Sequence, residues 1–200
     1  MSVVFTTISN NFIALCADKQ RIHPDDTITA TATNIEKWAP HLAVGMAGDI
    51  NLGEYVRSTV HKYVTENGIS NFGVNEVADL VIHGYHSAVE NGTVAMSETA
   101  RFIVAGKMAE GGLGAIVIKL TENRADSESY KAAKVPATLI LEPEDLSAAE
   151  CNMLLAKALK NVEGRYLKNP LESIHRRAVR NVSEHSEFVS KESDYLLITL

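Results

Sequence analysis

Ser2, Asp18 and Lys19 are the residues near the N-terminus whose types and spacing could do chemistry. A hydroxyl is a weak nucleophile and needs an adjacent base, which the α-amino group of an N-terminal serine can supply. Such amino groups have a pKa of about 8 and keep a usable neutral fraction at physiological pH. Because the Ser2 side chain is small, removal of Met1 alone would free it. The sequence therefore indicates a candidate nucleophile that carries its own base.

Asp18 directly follows an apolar run, Phe12 to Ala17, which should be buried on both faces. Aspartate is almost never fully buried unless it is paired. Two interpretations are therefore open. Either a strand emerges into solvent at Asp18, or Asp18 belongs to a site beside Ser2.

The N-terminal segment predicts a β-hairpin that brings Ser2 close to Asp18. Two segments rich in strand-forming residues flank a turn-forming pair: Val3–Ser9, Asn10-Asn11 and Phe12–Asp18. In that register Val3 lies opposite Asp18 and Ser2 opposite Lys19, on strands about 5 Å apart. Side chains alternate along a strand, so the Ser2 and Asp18 side chains point to opposite faces unless a bulge intervenes.

The rest of the chain alternates blocks of strands with pairs of helices. Buried or alternating apolar patterns predict strands over Thr27–Lys37, His41–Ala47, 101–106, 113–120, Tyr130–Val135, Ala137–Leu141 and 194–200. Apolar residues at helical spacing predict helices over 52–64, 77–89, 151–162 and 171–182. The strands need cover on both faces, and each helix has one apolar stripe. These features predict an α+β fold: a four-layer αββα sandwich of two mainly antiparallel sheets between helix pairs.

This element order, with the motifs ALCADKQRI and LAVGMAGD, resembles the proteasome-type N-terminal-nucleophile (Ntn) hydrolases, which include the proteasome β subunits and their HslV- and Anbu-like relatives. In that family a freed N-terminal Thr is the nucleophile, an Asp and then a Lys follow at intervals of sixteen residues, and a strand ends in Ala-Gly. Ser2, Asp18, Asn34 and Ala47-Gly48 stand at those positions here. The resemblance implies that Ser2 is the nucleophile, Asp18 organises charge, and the Gly48 N–H binds the oxyanion.

The main departure from the family pattern is the loss of its Lys, which lowers the proton affinity of the nucleophile. Asn34 stands at that position, so the charge is absent there. Lys19 and Lys37 are the cations that could act from another direction. The candidate catalytic residues are therefore Ser2, Asp18, Asn34, Gly48 and Lys19.

Two further family features are altered in the second half of the chain. The Ser-Gly-Ser turn ahead of the third helix is replaced by EPEDLSAAE, in which Ser147 and Glu150 form a helix capping-box pattern. The later Asp-x-x-Ser pair is matched by Glu187-x-x-Ser190, with Glu in place of Asp.

Composition limits the class of protein and its partners. The 200 residues, 46% of them hydrophobic, predict one globular domain over residues 1–200, and the net charge of -6 argues against a nucleic-acid partner. No apolar run approaches the ~20 residues of a membrane span, and no signal-peptide pattern is present. Cys16 and Cys151 lie in apolar sequence, which is typical of core thiols in a reducing compartment. We expect a cytoplasmic protein.

No cofactor or metal site is predicted. His83 and His86 are three residues apart on a predicted helix but lack a third ligand, which favours a structural or surface role. His23 and His41 lie near the candidate site in sequence, and either could be a base, although a loop position without a site role is favoured.

Two functions from different classes follow. One is hydrolysis of peptide or amide bonds in a peptide or protein substrate. The other is that of a catalytically silent, proteasome-fold subunit that forms rings or acts as a scaffold. The resemblance also implies a homo-oligomer, with a ring as one form, and leaves an ATP-dependent unfoldase partner open.

Overall fold

The computed structural model describes residues 2–19, 21–22, 28–29, 33–93, 99–122, 124–162 and 169–199, which fold into the predicted alternation of strand and helix blocks. The strands are β1 (Val4–Ile8), β2 (Phe12–Asp18), β3 (Arg21–Ile22), β4 (Ile28–Thr29), β5 (Ile35–Ala39), β6 (Leu42–Gly48), β7 (Ala100–Lys107), β8 (Leu113–Thr121), β9 (Arg124–Lys131), β10 (Ala137–Leu141) and β11 (Ser193–Thr199). The helices are α1 (Ile50–Glu66), α2 (Val74–Glu90), α3 (Ala148–Val162) and α4 (Pro170–Ser183).

Most of the strands belong to two sheets. The first sheet has four strands in the order β10-β1-β2-β11, and the second has five in the order β5-β6-β7-β8-β9. The short strands β3 and β4 pair with each other. Every pairing among the described strands is antiparallel, as the sequence predicts.

The predicted register of the N-terminal hairpin is confirmed. Val4 pairs with Ala17 and Ile8 with Ile13, and Ser9 N donates a hydrogen bond to the Phe12 carbonyl at 2.9 Å. Because the alternation is unbroken between those pairs, Val3 lies opposite Asp18. The turn residues therefore fix the position of the chain start relative to the end of β2.

The two sheets pack face to face, and a helix pair covers each outer face. The core between the sheets is formed mainly by small and branched side chains: Val4, Ile13, Leu15, Ala17, Ala43, Ala47, Ile103, Ala105 and Ala115. A second core joins α1 and α2 to the outer face of the second sheet, and a third joins α3 and α4 to the first. Together these cores form the predicted four-layer sandwich.

Glycine at position 45 in β6 allows the sheets to approach closely. A Cβ atom there would lie 2.9 Å from a methyl carbon of Ile103 and 3.2 Å from one of Val4 in the opposite sheet. The close approach carries the start of β1 against β6 and its neighbour β5, which supply the other parts of the candidate site.

Two predicted strands differ from the structure. The single strand predicted over Thr27–Lys37 is divided into β4 and β5, and residues 27 and 30–32 lie outside the described part of the chain. The strand predicted over Tyr130–Val135 is β9 instead, which ends at Lys131. Because β9 is an edge strand with mostly exposed side chains, it lacks the apolar pattern that marks the other strands.

A buried polar group ties α4 to the first sheet. His175 on α4 is 1% exposed, and its Nε2 atom lies 2.8 Å from Thr7 Oγ1, which lies 2.8 Å from Thr138 Oγ1. The Nδ1 atom has no hydrogen-bond partner among the described residues. Burial lowers the pKa of His175 to about 4, because a charged ring cannot be solvated there.

We expect stability to fall in mildly acidic solution because of His175. Its pKa is about 6.5 in the unfolded chain and lower in the folded protein, so the unfolded state binds the proton first as pH falls. The contribution of neutral His175 to the free energy of unfolding should therefore be fully present above pH ~6.5. At pH ~5 the free energy of unfolding should be lower by about 2 kcal/mol. Urea unfolding at the two pH values measures this loss.

The matched control is the exposed histidine His83 on α2. His175→Gln should abolish most of the pH dependence, whereas His83→Gln should leave it unchanged. An equal pH dependence in both variants would contradict the assignment.

Candidate active site

The Asp18 carboxylate holds the beginning of the chain. Asp18 is fully buried, and its Oδ1 atom accepts a hydrogen bond from Val3 N at 3.0 Å. Its Oδ2 atom accepts one from Ser190 N at 3.2 Å, in the loop before β11. Hydrogen bonds of this charge-assisted kind compensate for the loss of hydration on burial. Asp18 is thus a buried, paired carboxylate beside Ser2, and the interpretation of a strand end in solvent is wrong.

Asn34 links Ser2 to Asp18. Its Nδ2 atom donates to Ser2 Oγ at 2.8 Å and to the Asp18 main-chain carbonyl at 2.7 Å. All three residues are buried, with 4% or less of their surface exposed. The strict register sends the Ser2 and Asp18 side chains to opposite faces of the first sheet. Asn34 can bind both residues because its bond to Asp18 is to the main-chain carbonyl and not to the side chain.

The second sheet places Gly48 at the end of the strand that Asn34 joins. Met46 N donates to the Asn34 carbonyl at 2.9 Å, whereas Asp49 N donates to the Thr99 carbonyl in the opposite direction at 2.7 Å. Amide directions alternate along a strand, so the Gly48 N–H points away from β7, to the same side as that of Met46. Gly48 lies two residues, about 7 Å, further along β6 than Met46. Its N–H direction is compatible with the predicted oxyanion donor.

The described side-chain contacts of the two candidate cations are with β11. Lys19 Nζ lies 3.0 Å from Asp194 Oδ1, and Lys19 N donates to the Glu192 carbonyl at 3.1 Å. Lys37 Nζ donates to the Leu197 carbonyl at 3.3 Å. The catalytic role of Lys19 stays a prediction.

Similar folds are found among solved structures, although no family model and no curated protein matches the sequence. Eukaryotic HslV from Trypanosoma brucei superposes with a TM-score of 0.61 at 12% identity, and 99% of each chain is covered. The Anbu complex from Pseudomonas aeruginosa, solved as a helical assembly, gives a TM-score of 0.69 at 16% identity, with 98% of this chain and 81% of that chain covered. The chain has the proteasome-like Ntn-hydrolase fold. The resemblance predicted from the N-terminal motifs is confirmed at the level of the fold.

Arg57 is a residue near this site that the sequence did not indicate. It lies on α1, and its Nη1 atom donates to the Thr33 carbonyl at 2.8 Å, one residue before Asn34. Its Nη2 atom donates to Glu54 Oε2 at 2.8 Å. The i,i+3 spacing of Glu54 and Arg57 is visible in the sequence, but the contact with Thr33 depends on how α1 packs in the Ntn-hydrolase fold.

Ser190, the residue matched to the family's Ser in the Asp-x-x-Ser pair, lies next to Asp18 in the structure. In addition to the bond to Asp18, its Oγ atom accepts a hydrogen bond from Lys19 N at 3.2 Å. Glu187 N instead donates to Asp145 Oδ2 at 3.0 Å, in the segment that replaces the family's Ser-Gly-Ser turn. The Ser half of the predicted pair therefore lies beside Asp18.

The predicted capping box at the start of α3 is confirmed. Ser147 N donates to Glu150 Oε2 at 2.8 Å, and Glu150 N donates to Ser147 Oγ at 3.3 Å. Ser147 is thereby engaged at a helix end, where the family has its Ser-Gly-Ser turn.

Other potential nucleophiles and ligands lie away from the candidate site or are inert. Burial raises the pKa of Cys16 to about 12 and that of Cys151 to about 11, so neither thiol ionises at neutral pH. His41 Nε2 lies 3.1 Å from the Phe72 carbonyl, and His23 lies outside the described residues. Within the described ranges, no group of three or more His, Cys, Asp or Glu side chains could hold a metal ion, and no helix is long and apolar enough to cross a membrane.

Gly48→Ala should destabilise the protein by at least about 3 kcal/mol, because two costs add. Gly48 has a φ of 106°, and a Cβ atom there would lie 2.6 Å from the Thr99 carbonyl oxygen. Gly92 is the matched control, since it has a φ of 64° and a Cβ atom there would meet no heavy atom within 4 Å. Gly92→Ala should cost only about 1 kcal/mol in urea unfolding. Equal costs would contradict the close contact at Gly48.

Asp18→Asn should lower the free energy of unfolding by about 2 kcal/mol. The substitution replaces one acceptor oxygen by an NH2 donor, so either Val3 N or Ser190 N loses its hydrogen-bond acceptor. Hydrogen exchange at the Val3 amide should also become faster. Asp194→Asn is the control, since the Asp194 carboxylate is 32% exposed in its ion pair with Lys19 and should contribute less than about 1 kcal/mol. A similar loss in both variants would contradict the anchoring role of Asp18.

Proposed function

We propose that the protein is an Ntn hydrolase of peptide or amide bonds, with Ser2 as the nucleophile after removal of Met1. The observation that supports this proposal most directly is the contact between Asn34 Nδ2 and Ser2 Oγ at 2.8 Å, made by an amide that also binds the main-chain carbonyl of Asp18. An N-terminal residue held in this way has its hydroxyl oriented and its neighbouring main chain fixed. The proteasome-like fold is the second support.

The reaction begins when the α-amino group of Ser2 takes the proton of its own Oγ atom. Oγ attacks the carbonyl carbon of the substrate, and the negative charge that develops on the carbonyl oxygen is stabilised by the Gly48 N–H. The C–N bond then breaks, and the leaving amine takes the proton from the α-ammonium group. An acyl ester on Ser2 remains, and water activated by the α-amino group hydrolyses it to a carboxylic acid and free Ser2.

Asn34 supplies a neutral hydrogen-bond donor in this mechanism. Because Ser2 Oγ accepts the hydrogen bond from this amide, the Ser2 hydroxyl acts as the donor toward the α-amino group in the proposed mechanism. A neutral amide stabilises a developing alkoxide less than a Lys ammonium does, so we expect slower chemistry than the family pattern provides. Asp18 acts on the geometry through Val3 N, and we assign it a positioning role.

The alternative function is that of a catalytically silent subunit of the same fold that forms rings or acts as a scaffold. The specific observation in its favour is the neutral Asn34 at the position of the family Lys. The described contact of Lys19 Nζ with Asp194 points the same way.

We also propose assembly into a homo-oligomer, by analogy with the helical Anbu assembly. The buried free thiols of Cys16 and Cys151 support a reducing, cytoplasmic location. A peptide or protein is the proposed substrate.

Intact-mass measurement separates the two functions. If Ser2 is the nucleophile, the native protein should lack Met1 and should gain the mass of an Ntn-directed epoxyketone or β-lactone. Ser2→Ala should abolish this adduct, whereas Ser2→Thr should retain it because the hydroxyl is preserved.

The control variant is Ser9→Ala, which removes another buried hydroxyl of the same hairpin and should leave the adduct unchanged. Retention of Met1 with no adduct would favour the silent subunit. An adduct that persists in Ser2→Ala would show that another residue is the nucleophile.

A further inference from the structure

A cavity of about 350 Å³ lies between α4 and the segment that enters β11. It is lined by Lys19, Arg176, Arg180, Lys191, Glu192 and Ser193. Four of these six residues are cationic, in a chain whose net charge is -6. The local charge of the cavity is therefore opposite to that of the protein as a whole.

Two of the four cations are held in place by carboxylates. Lys19 Nζ lies 3.0 Å from Asp194 Oδ1, and Arg176 Nε donates to Glu172 Oε1 at 2.8 Å. Arg176 Nη1 also donates to the Ser193 carbonyl and, at 3.2 Å, to Ser193 Oγ. These contacts fix the positions of the two side chains in the wall of the cavity, so their remaining donors are preorganised.

The other two cations have no carboxylate partner among the described residues. Within the described parts of the chain, neither Arg180 nor Lys191 forms an ion pair, and both side chains are exposed. Arg180 lies one helical turn after Arg176, so the two guanidinium groups share a face of α4. With Glu192, Asp194 and Glu172 counted, positive charge still exceeds negative charge around the cavity. An anion would relieve the repulsion between these cations.

We propose that this cavity is a binding site for an oligophosphate, either free or as the phosphate chain of a nucleotide. A guanidinium group presents two parallel N–H donors that match a phosphate, and a Lys ammonium acts as a point charge beside it. A single carboxylate would occupy one guanidinium group, whereas a chain of phosphates carries enough anionic oxygens to pair with several cations. The volume of the cavity exceeds that of one phosphate group.

Binding there should stabilise the fold because the wall of the cavity continues into the loop that holds Asp18. Lys191 follows Ser190, whose Oγ atom accepts from Lys19 N and donates to the Glu192 carbonyl at 3.1 Å. An anion that bridges Lys19 and Lys191 would join the end of β2 to this loop. Ligands that bind only the folded state raise the unfolding temperature.

Titration calorimetry and thermal unfolding with sodium tripolyphosphate test the proposal, with sodium chloride at equal ionic strength as the salt control. We expect a saturable rise in the unfolding temperature and one binding site per chain. The double variant Arg180→Gln with Lys191→Gln should raise Kd at least about tenfold, because two charge-assisted contacts are lost. Arg124→Gln with Lys157→Gln, which removes the same charges outside the cavity, should leave Kd within about twofold.

Three ligands identify the source of the phosphate chain. Equal affinity for tripolyphosphate and ATP, with no binding of adenosine, would support recognition of the phosphates alone. Tighter binding of ATP would support a nucleotide. A rise in unfolding temperature that sodium chloride reproduces, or a Kd that the cavity variant leaves unchanged, would overturn the proposal. Should the double variant fail to fold, each single variant is expected to raise Kd about threefold and serves the same test.

Discussion

The buried carboxylate of Asp18 joins parts of the chain that are far apart in sequence at one end of the sandwich. It accepts hydrogen bonds from Val3 N at the chain start and from Ser190 N before β11, and the main-chain carbonyl of Asp18 accepts one from Asn34 at the edge of the second sheet. An uncompensated carboxylate at a fully buried position costs several kcal/mol. The charge is therefore tolerated only when these segments meet in their native arrangement, and the position of Ser2 depends on that arrangement.

Small residues in β6 allow a short distance between the two sheets, and the same strand forms part of the candidate site. Ala43, Gly45 and Ala47 face the first sheet, so β1 and β2 can pack closely against them. In the same strand, Met46 N donates a hydrogen bond to the Asn34 carbonyl. The strand ends at Gly48, where the positive φ and the close approach of Thr99 exclude a side chain. The packing of the sheets and the position of Asn34 beside Ser2 thus both depend on β6.

Charge is distributed differently here from the pattern of the Ntn-hydrolase family. A neutral amide, Asn34, contacts the candidate nucleophile, while the guanidinium of Arg57 binds the main-chain carbonyl of the preceding residue, Thr33. Positive charge is therefore present one residue away but is directed at the backbone. The cations Lys19, Arg176, Arg180 and Lys191 gather instead at the cavity beside β11. If the proposed hydrolase function holds, this separation of charge is the reason that its chemistry should be slow.

The sequence by itself determined the local structure and the N-terminal part of the site. The Asn10-Asn11 turn and the apolar alternation around it define the hairpin register, and helical spacing defines the four helices. The sequence did not define β9, because a polar edge strand is stabilised by its neighbour β8 and needs no apolar pattern. Only the tertiary structure decided that Asn34 binds both Ser2 and Asp18, that Arg57 reaches Thr33, and that Ser190 contacts a residue 172 positions away. Such contacts depend on the packing of layers, whereas sequence patterns report only on neighbours along one strand or helix.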